Sequence, residues 1–296
     1  MAEFLIIRDD MSKVLQRLLT FFIGIPVVLG IVFFDPSKYH YGINILACII
    51  SAVAASELYS LFSAKTKLPG RVFIIILSMI QPLAAFLLIL FGKDNSYIDF
   101  SYWVFLIAGM ILMSAEVFRN KTFEDSNTRI SGALFIIFYA GFLFTFVTRM
   151  TLLKDASLIL CIFFFTVFIN DSLAWFFGVL FGKNNRGFVA ASPNKSIAGF
   201  AGGILGATAT CTLIHYIWPE LFYGSPLKGA LMGFLCAASG ITGDLIESVF
   251  KRSAVIKDSG NIIPGRGGIL DSVDSILFTS PVFYICLSVL YHPEFV

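Results

Sequence analysis

Charge is scarce in this chain. Of 296 residues only 14% are Asp, Glu, Lys or Arg, against about 25% in a typical soluble domain. Histidine is scarcer still, with His40, His215 and His292 too far apart to form a metal site or a histidine-based triad. The five cysteines, Cys48, Cys161, Cys211, Cys236 and Cys286, are scattered through apolar runs with no CxxC pair. That spacing argues against a zinc site or a disulfide framework and for small core hydrophobes. There is no low-complexity tract, no visible internal repeat and no polar linker. The first 17 residues are too long and mixed for the charged start of a signal peptide, and no A-x-A cleavage pattern closes the first apolar run. A net charge of +2 gives no reason to expect nucleic acid.

What the chain has in abundance is apolar surface. Hydrophobic residues make up 57% of it, and the mean hydropathy is +0.86. A soluble core of this size cannot hide that much, so lipid must be part of the solvent. Apolar runs long enough to span hydrocarbon as helices recur near 18–34, 42–63, 72–91, 101–118, 130–147, 158–181, 197–217, 229–250 and 273–291. The expected fold is all-α, a polytopic membrane protein of about nine spans. Residues 1–155 form an N-terminal membrane region and 156–296 a second region that carries the chemistry.

Basic residues orient these spans. With the N-terminus in the cytoplasm, only Lys38, Lys93, Arg149, Lys154 and Lys228 fall on the far side, and the other sixteen of the 21 lie on the cytoplasmic side. Nine spans then put the C-terminus outside.

Acids at membrane depth each cost about 2.5–3.5 kcal/mol on insertion scales and signal function or a partner. Five stand out: Glu57, Glu116, Asp171, Asp244 and Glu247. Glu116 reads as structural, and Glu57 stays open between structure and function. Asp171 sits mid-span beside Asn170 and Ser172. Asp244 and Glu247 are spaced i, i+3 on one helix face, and Glu247 also precedes Lys251 by four residues, the spacing of an ordinary helical ion pair.

The stretch that follows, KRSAVIKDSGNIIPGRGGILDSVDS, carries Lys251, Arg252, Lys257 and Arg266, a turn with Gly265, Gly267 and Gly268, and then Asp271 and Asp274 at i, i+3. Free N–H groups at a glycine turn and helix start suit phosphate oxygens. Carboxylates beside them suit Mg²⁺, which takes one or two carboxylates plus substrate phosphates. A cytoplasmic basic loop accounts for the cations alone, but not for Asp244 inside the preceding span. Upstream, Ser192-Pro193 reads as a helix start with Lys195 in the first turn, where the helix dipole disfavours a cation unless an anion binds. Gly199/Gly203 and Gly202/Gly206 read as helix-packing pairs.

These residues resemble the phosphatidate cytidylyltransferases (CDP-diacylglycerol synthases). Ser248, Phe250, Lys251, Arg252, Lys257, Asp258, Gly260, Ile263, Pro264, Gly267, Gly268, Ile269, Asp271, Val273 and Asp274 match that family's C-terminal signature. Asn170, Asp171, Ala174 and Trp175, then Ser192, Pro193, Lys195 and Ser196, match its upstream elements. Arg266 stands where the family usually has His, Ser272 where it has Arg, and Ala198 where Glu often follows. Arg266 keeps a phosphate donor but cannot serve as a base near neutral pH.

The resemblance implies transfer of the cytidylyl group from CTP to phosphatidate, with release of pyrophosphate. It implies Asp244, Asp271 and Asp274 as Mg²⁺ ligands, with Asp171 lining a polar cavity and a monovalent cation left open as a second ion. Ser192, Lys195, Lys251, Arg252, Lys257, Asp258, Arg266, Gly267 and Gly268 would hold the substrates. It further implies a homodimer in the cytoplasmic (inner) membrane of a bacterium, with the active site facing the cytoplasm. The rival readings are a transporter using its intramembrane acids and a CTP-dependent lipid-alcohol kinase, which would release CDP.

Overall fold

A computed structural model describes residues 23–24, 26–35, 39–91, 97–119, 121–263, 265 and 267–291, with side chains omitted at 97–99. Pro264, Arg266, His292 and the basic residues Arg8, Lys13, Arg17, Lys38 and Lys93 lie outside them, as does much of the first expected span. Of that span, residues 23–24 and 26–34 are helical.

Eight helices among the described residues are long and apolar enough to cross a membrane. They are α1 (Tyr41–Ser63), α2 (Arg71–Phe91), α3 (Tyr97–Arg119), α4 (Ser126–Met150), α5 (Ala156–Phe181), α6 (Ile197–Ile217), α7 (Pro226–Ser253) and α8 (Leu270–Leu290). Helix is what lipid demands, because a spanning segment must satisfy its own N–H and C=O groups. The shortest, at 21 residues, rises about 31 Å, enough to cross the hydrocarbon core. No strand occurs among the described residues. The protein is a polytopic, all-α integral membrane protein. Side chains such as Trp103, Leu106, Ile107, Met110 and Val117 on α3 are exposed, and in a bilayer they meet hydrocarbon, which accounts for the low charge content.

The chain divides into two compact units. The first comprises Met1–Leu152 and Ala254–Ser272, the second Leu153–Ser253 and Val273–Val296.

In the first unit α2 contains Pro82, which has no N–H to meet the Ser78 carbonyl one turn earlier. Gly141 packs at that carbonyl, where a Cβ would lie 2.6 Å from the oxygen. Here α4 loosens into a π-helical turn over Ile137–Gly141 and a 3₁₀ turn over Phe142–Phe144. Ser51 of α1 donates its hydroxyl to Ala140 O at 2.7 Å, so a side chain tends the backbone where the regular ladder is interrupted. Glu116 of α3 is buried and pairs with Arg129 of α4 at 2.6 Å, with Ser126 Oγ donating at 2.7 Å. That is the structural role expected of it.

In the second unit glycines set the spacing. A Cβ on Gly202 would sit 2.6 Å from Phe177, and one on Gly203 2.7 Å from Asn170 Oδ1, drawing α6 onto α5. Gly229 and Gly233 of α7 abut the carbonyls of Cys211 and Ala207 on α6, each at 2.5 Å from the Cβ position. Gly243 lies against the Asp274 carbonyl of α8, at 2.6 Å. Pro281 interrupts α8 and leaves the Leu277 carbonyl without its helical donor, and Ser280 Oγ supplies one at 3.1 Å. All five cysteines are buried and unpaired with one another.

The start of α6 differs from the expectation. Its N-cap is Ser196, whose Oγ accepts from Gly199 N at 3.1 Å, so Ser192-Pro193 lies in the preceding turn and Lys195 precedes the helix. A serine that can reach the N3 amide outcompetes Pro193 as the start, because it satisfies an orphan donor.

Gly233→Ala places a methyl against backbone atoms that cannot move aside. It should destabilise the protein in detergent by about 1–3 kcal/mol, the usual cost of overpacking, as read by thermal unfolding. Gly70→Ala, with nothing within 4 Å of its Cβ position, should change stability by less than about 0.5 kcal/mol.

Candidate functional site: a buried carboxylate group and a clamped loop

Close packing in the second unit brings α7 and α8 together at three acids. Asp244, Glu247 and Asp274 each present a carboxylate oxygen, and these oxygens lie within 4.8 Å of one another. Glu247 and Asp274 are buried, at 0% and 6% exposure, and Asp244 is half-buried. Two cations answer them. Lys195 forms an ion pair with Asp244, and Lys251 one with Glu247, at the helical i, i+4 spacing. Burial opposes charge on the Lys195 amine. The facing Asp244 carboxylate, reinforced by Asp171 and Asp274, more than offsets that and holds the amine above its ordinary value. Asp274 Oδ1 also accepts from Ser275 N at 2.6 Å. Asp171 of α5 is exposed and accepts from the buried Asn170 Nδ2 at 3.4 Å.

Four acids and two lysines make up this group. The donors are all carboxylate oxygens, with no thiolate or imidazole among them, a set suited to a hard divalent cation. Asp244 and Asp274 of the expected ligand trio are together here, and Glu247 joins them. Asp271 does not. The i, i+3 spacing of Asp244 and Glu247 already put both on one helix face, but it also fitted the ion pair to Lys251, and both relations hold at once.

Asp271 belongs to the first unit's construction. Its Oδ2 accepts from Ser259 N, Ser259 Oγ and Gly268 N, each at 2.8 Å. From the other side Glu57 of α1, 6% exposed, accepts from Ile269 N at 3.0 Å, Leu270 N at 2.8 Å and Ser259 Oγ at 3.1 Å. Gly267 takes a φ of +106° that favours glycine, and its N–H donates to Ile263 O at 3.0 Å. The N–H groups from 267 to 270, expected to face phosphate, are therefore engaged within the protein. Two of the chain's own carboxylates take three of the four, and the Ile263 carbonyl takes the other. Sequence reasoning left Glu57 open, and no local pattern flags it, because its partners are 202 to 213 residues away.

The remaining expected residues are accessible. Lys257, Asp258 and Arg252 are exposed, Arg252 Nε reaching Ala191 O at 3.5 Å. Ser192 is half-buried in the turn closed by Lys195 N donating to its carbonyl at 3.1 Å. Arg266 lies outside the described residues.

Residues 15–290 match the model of the cytidylyltransferase family. The chain belongs to that family. Among its relatives, the phosphatidate cytidylyltransferase of Bacillus subtilis strain 168 is 31% identical over 92% of this chain and 97% of its own length. Those of Chlamydia pneumoniae and of Staphylococcus epidermidis RP62A are 30% and 29% identical over 86% and 88% of this chain, and over 85% and 96% of theirs. Cytidylyl transfer in general calls for groups that bind polyphosphate.

Glu247→Gln should weaken Mn²⁺ binding to the purified protein about tenfold or more, a loss of roughly 1.4 kcal/mol, as measured by calorimetric titration. A Glu124→Gln control on the exposed turn before α4 should leave it unchanged.

Proposed function

We propose that the chain is a phosphatidate cytidylyltransferase, an integral membrane enzyme converting CTP and phosphatidate to CDP-diacylglycerol and pyrophosphate. The observation that carries this reading is the Asp244–Glu247–Asp274 group with Lys195 beside it, inside the helix bundle of a cytidylyltransferase-family chain. A phosphate oxygen of phosphatidate attacks the α-phosphorus of CTP, the bond between that phosphorus and the bridging oxygen breaks, and pyrophosphate leaves. The phosphatidate oxygen is already anionic near neutral pH, so no base is required to start the reaction. Arg266 in place of the family's usual His is compatible with that chemistry.

The obstacle is the mutual repulsion of two polyanions, and positive charge at the reacting phosphates lowers it. Asp244, Glu247 and Asp274 would hold a divalent cation, with Mg²⁺ the natural choice. When bound, the ion supplies charge neutralisation for the triphosphate and the departing pyrophosphate. Lys195 lies where its amine can exchange Asp244 for a phosphate. Arg252 and, by the signature match, Lys257 and Arg266 would supply further positive charge for CTP, and the exposed Asp171 adds a polar group to the lining. The excess of basic residues in alternate connections supports a site on the cytoplasmic side, where CTP is found, in a bacterial cytoplasmic membrane.

In detergent with phosphatidate and Mg²⁺, label from α-labelled CTP should enter the lipid with one pyrophosphate released per label. Asp274→Asn should lower kcat about 100-fold or more, the scale of losing one preorganised electrostatic group, and EDTA should abolish turnover. Transfer of label from γ-labelled CTP with release of CDP would instead establish the kinase reading, and substrate movement without any CTP the transporter one.

A further inference from the structure

Among the described residues of the first unit, two buried acids lie outside the proposed chemistry: Glu116, which Arg129 answers, and Glu57. Glu57 lies near the end of α1, far in sequence from every signature residue, yet its carboxylate is built into the signature loop. Both oxygens are engaged: Oε1 with Ile269 N, Oε2 with Leu270 N and Ser259 Oγ. Ile269 immediately precedes α8 and Leu270 opens it, so Glu57 serves as a helix cap delivered from another helix, satisfying two orphan donors at its start.

The loop is shaped around this carboxylate. A Cβ on Gly260 would lie 2.5 Å from Glu57 Oε1, and one on Gly268 would overlap both Glu57 Oε2 and Ser259 Oγ. The hydroxyl of Ser259 has one proton and stands between two acceptors, Glu57 Oε2 at 3.1 Å and Asp271 Oδ2 at 2.8 Å. The two acids thus hold Ser259 and residues 268–270, through the serine hydroxyl and four backbone amides. In sequence, Arg266 falls between these anchored residues and Lys257 precedes them by two positions.

We propose that Glu57 is a positioning residue for this loop, fixing the segment from which Lys257 meets the phosphates of CTP. The N-terminal helices thereby contribute to nucleotide binding. The substrate in this inference rests on the cytidylyltransferase reading above; the clamp itself does not. Glutamine cannot replace Glu57 at this place. Each of its oxygens faces a backbone N–H that can only donate, so an amide turns its NH₂ toward one of them.

The distinguishing measurement is the division between KM and kcat in the full-length enzyme. A loosened loop raises KM for CTP, because ordering it is charged to binding, but bound nucleotide restores it, so kcat at saturation survives. A residue that only holds the fold together changes the active fraction and leaves KM alone. For Glu57→Gln the expected result is a KM for CTP raised about 10- to 100-fold, the weight of one or two charge-assisted hydrogen bonds, with kcat within about twofold of wild type. Glu57→Asp, which keeps the charge on a shorter side chain, should fall between the two and serves alone if the glutamine variant does not purify. Hydrogen exchange in peptides covering 259–271 should quicken in both variants without nucleotide.

An unchanged KM, or a lost kcat with KM intact, overturns the proposal. If the wild type transfers no label from CTP, the functional reading has failed by itself. The exchange measurement then still decides the clamp, and unaltered exchange in 259–271 overturns it.

Discussion

Charge held inside a helix bundle in lipid is the constraint on which the second unit turns. An isolated carboxylate at that depth is costly, and Asp244, Glu247 and Asp274 are tolerable together only because Lys195 and Lys251 lie against them. The glycines of α6 and α7 make this arrangement possible. With Gly243 against the Asp274 carbonyl and Gly233 against that of Ala207, the backbones approach closely enough for short acidic side chains to converge. A larger residue at either glycine would separate the helices and leave each acid alone in an apolar layer. Packing and electrostatics are one problem here, solved by the same few residues.

Lipid imposes a second rule, that interrupted backbone must be tended by something nearby. The first unit obeys it where α4 relaxes into its π-helical turn and Ser51 reaches Ala140 O, and the second where Ser280 serves the carbonyl left by Pro281. These hydroxyls permit irregular helices within a bilayer, and irregular helices let polar loops and acids be presented at chosen depths.

The spans were legible because lipid makes hydrophobicity a nearly sufficient signal. Apolar runs near 42–63, 72–91 and 197–217 correspond to α1, α2 and α6 within a residue at each end, and the weaker ends of α3, α4 and α7 extend past the apolar run into polar residues that hydropathy discounts. The pairing of Asp244 with Glu247 was legible from helical spacing, and Asp274 from its place in the signature. The fate of Asp271 was not, because Asp271 and Asp274 look alike in sequence, yet one faces loop amides and the other its fellow acids. The helix start at Ser196 was obscured by Pro193, since two adjacent start signals compete and only the geometry of the cap decides. Glu57 was invisible as a clamp for a different reason. Its donors are backbone amides, and amides leave no trace in a sequence.

Gly268 has a wider meaning for how such a chain changes over time. Its missing side chain is the space into which Glu57 and Ser259 project, so the glycine-rich element of the signature answers to a residue in another helix as well as to any ligand. Positions 57, 259 and 268 are therefore coupled by packing. A relative that carries a side chain at the position of Gly268 needs a shorter residue at that of Glu57, and a different means of capping α8. A signature that looks local in sequence is in this respect a record of a distant neighbour.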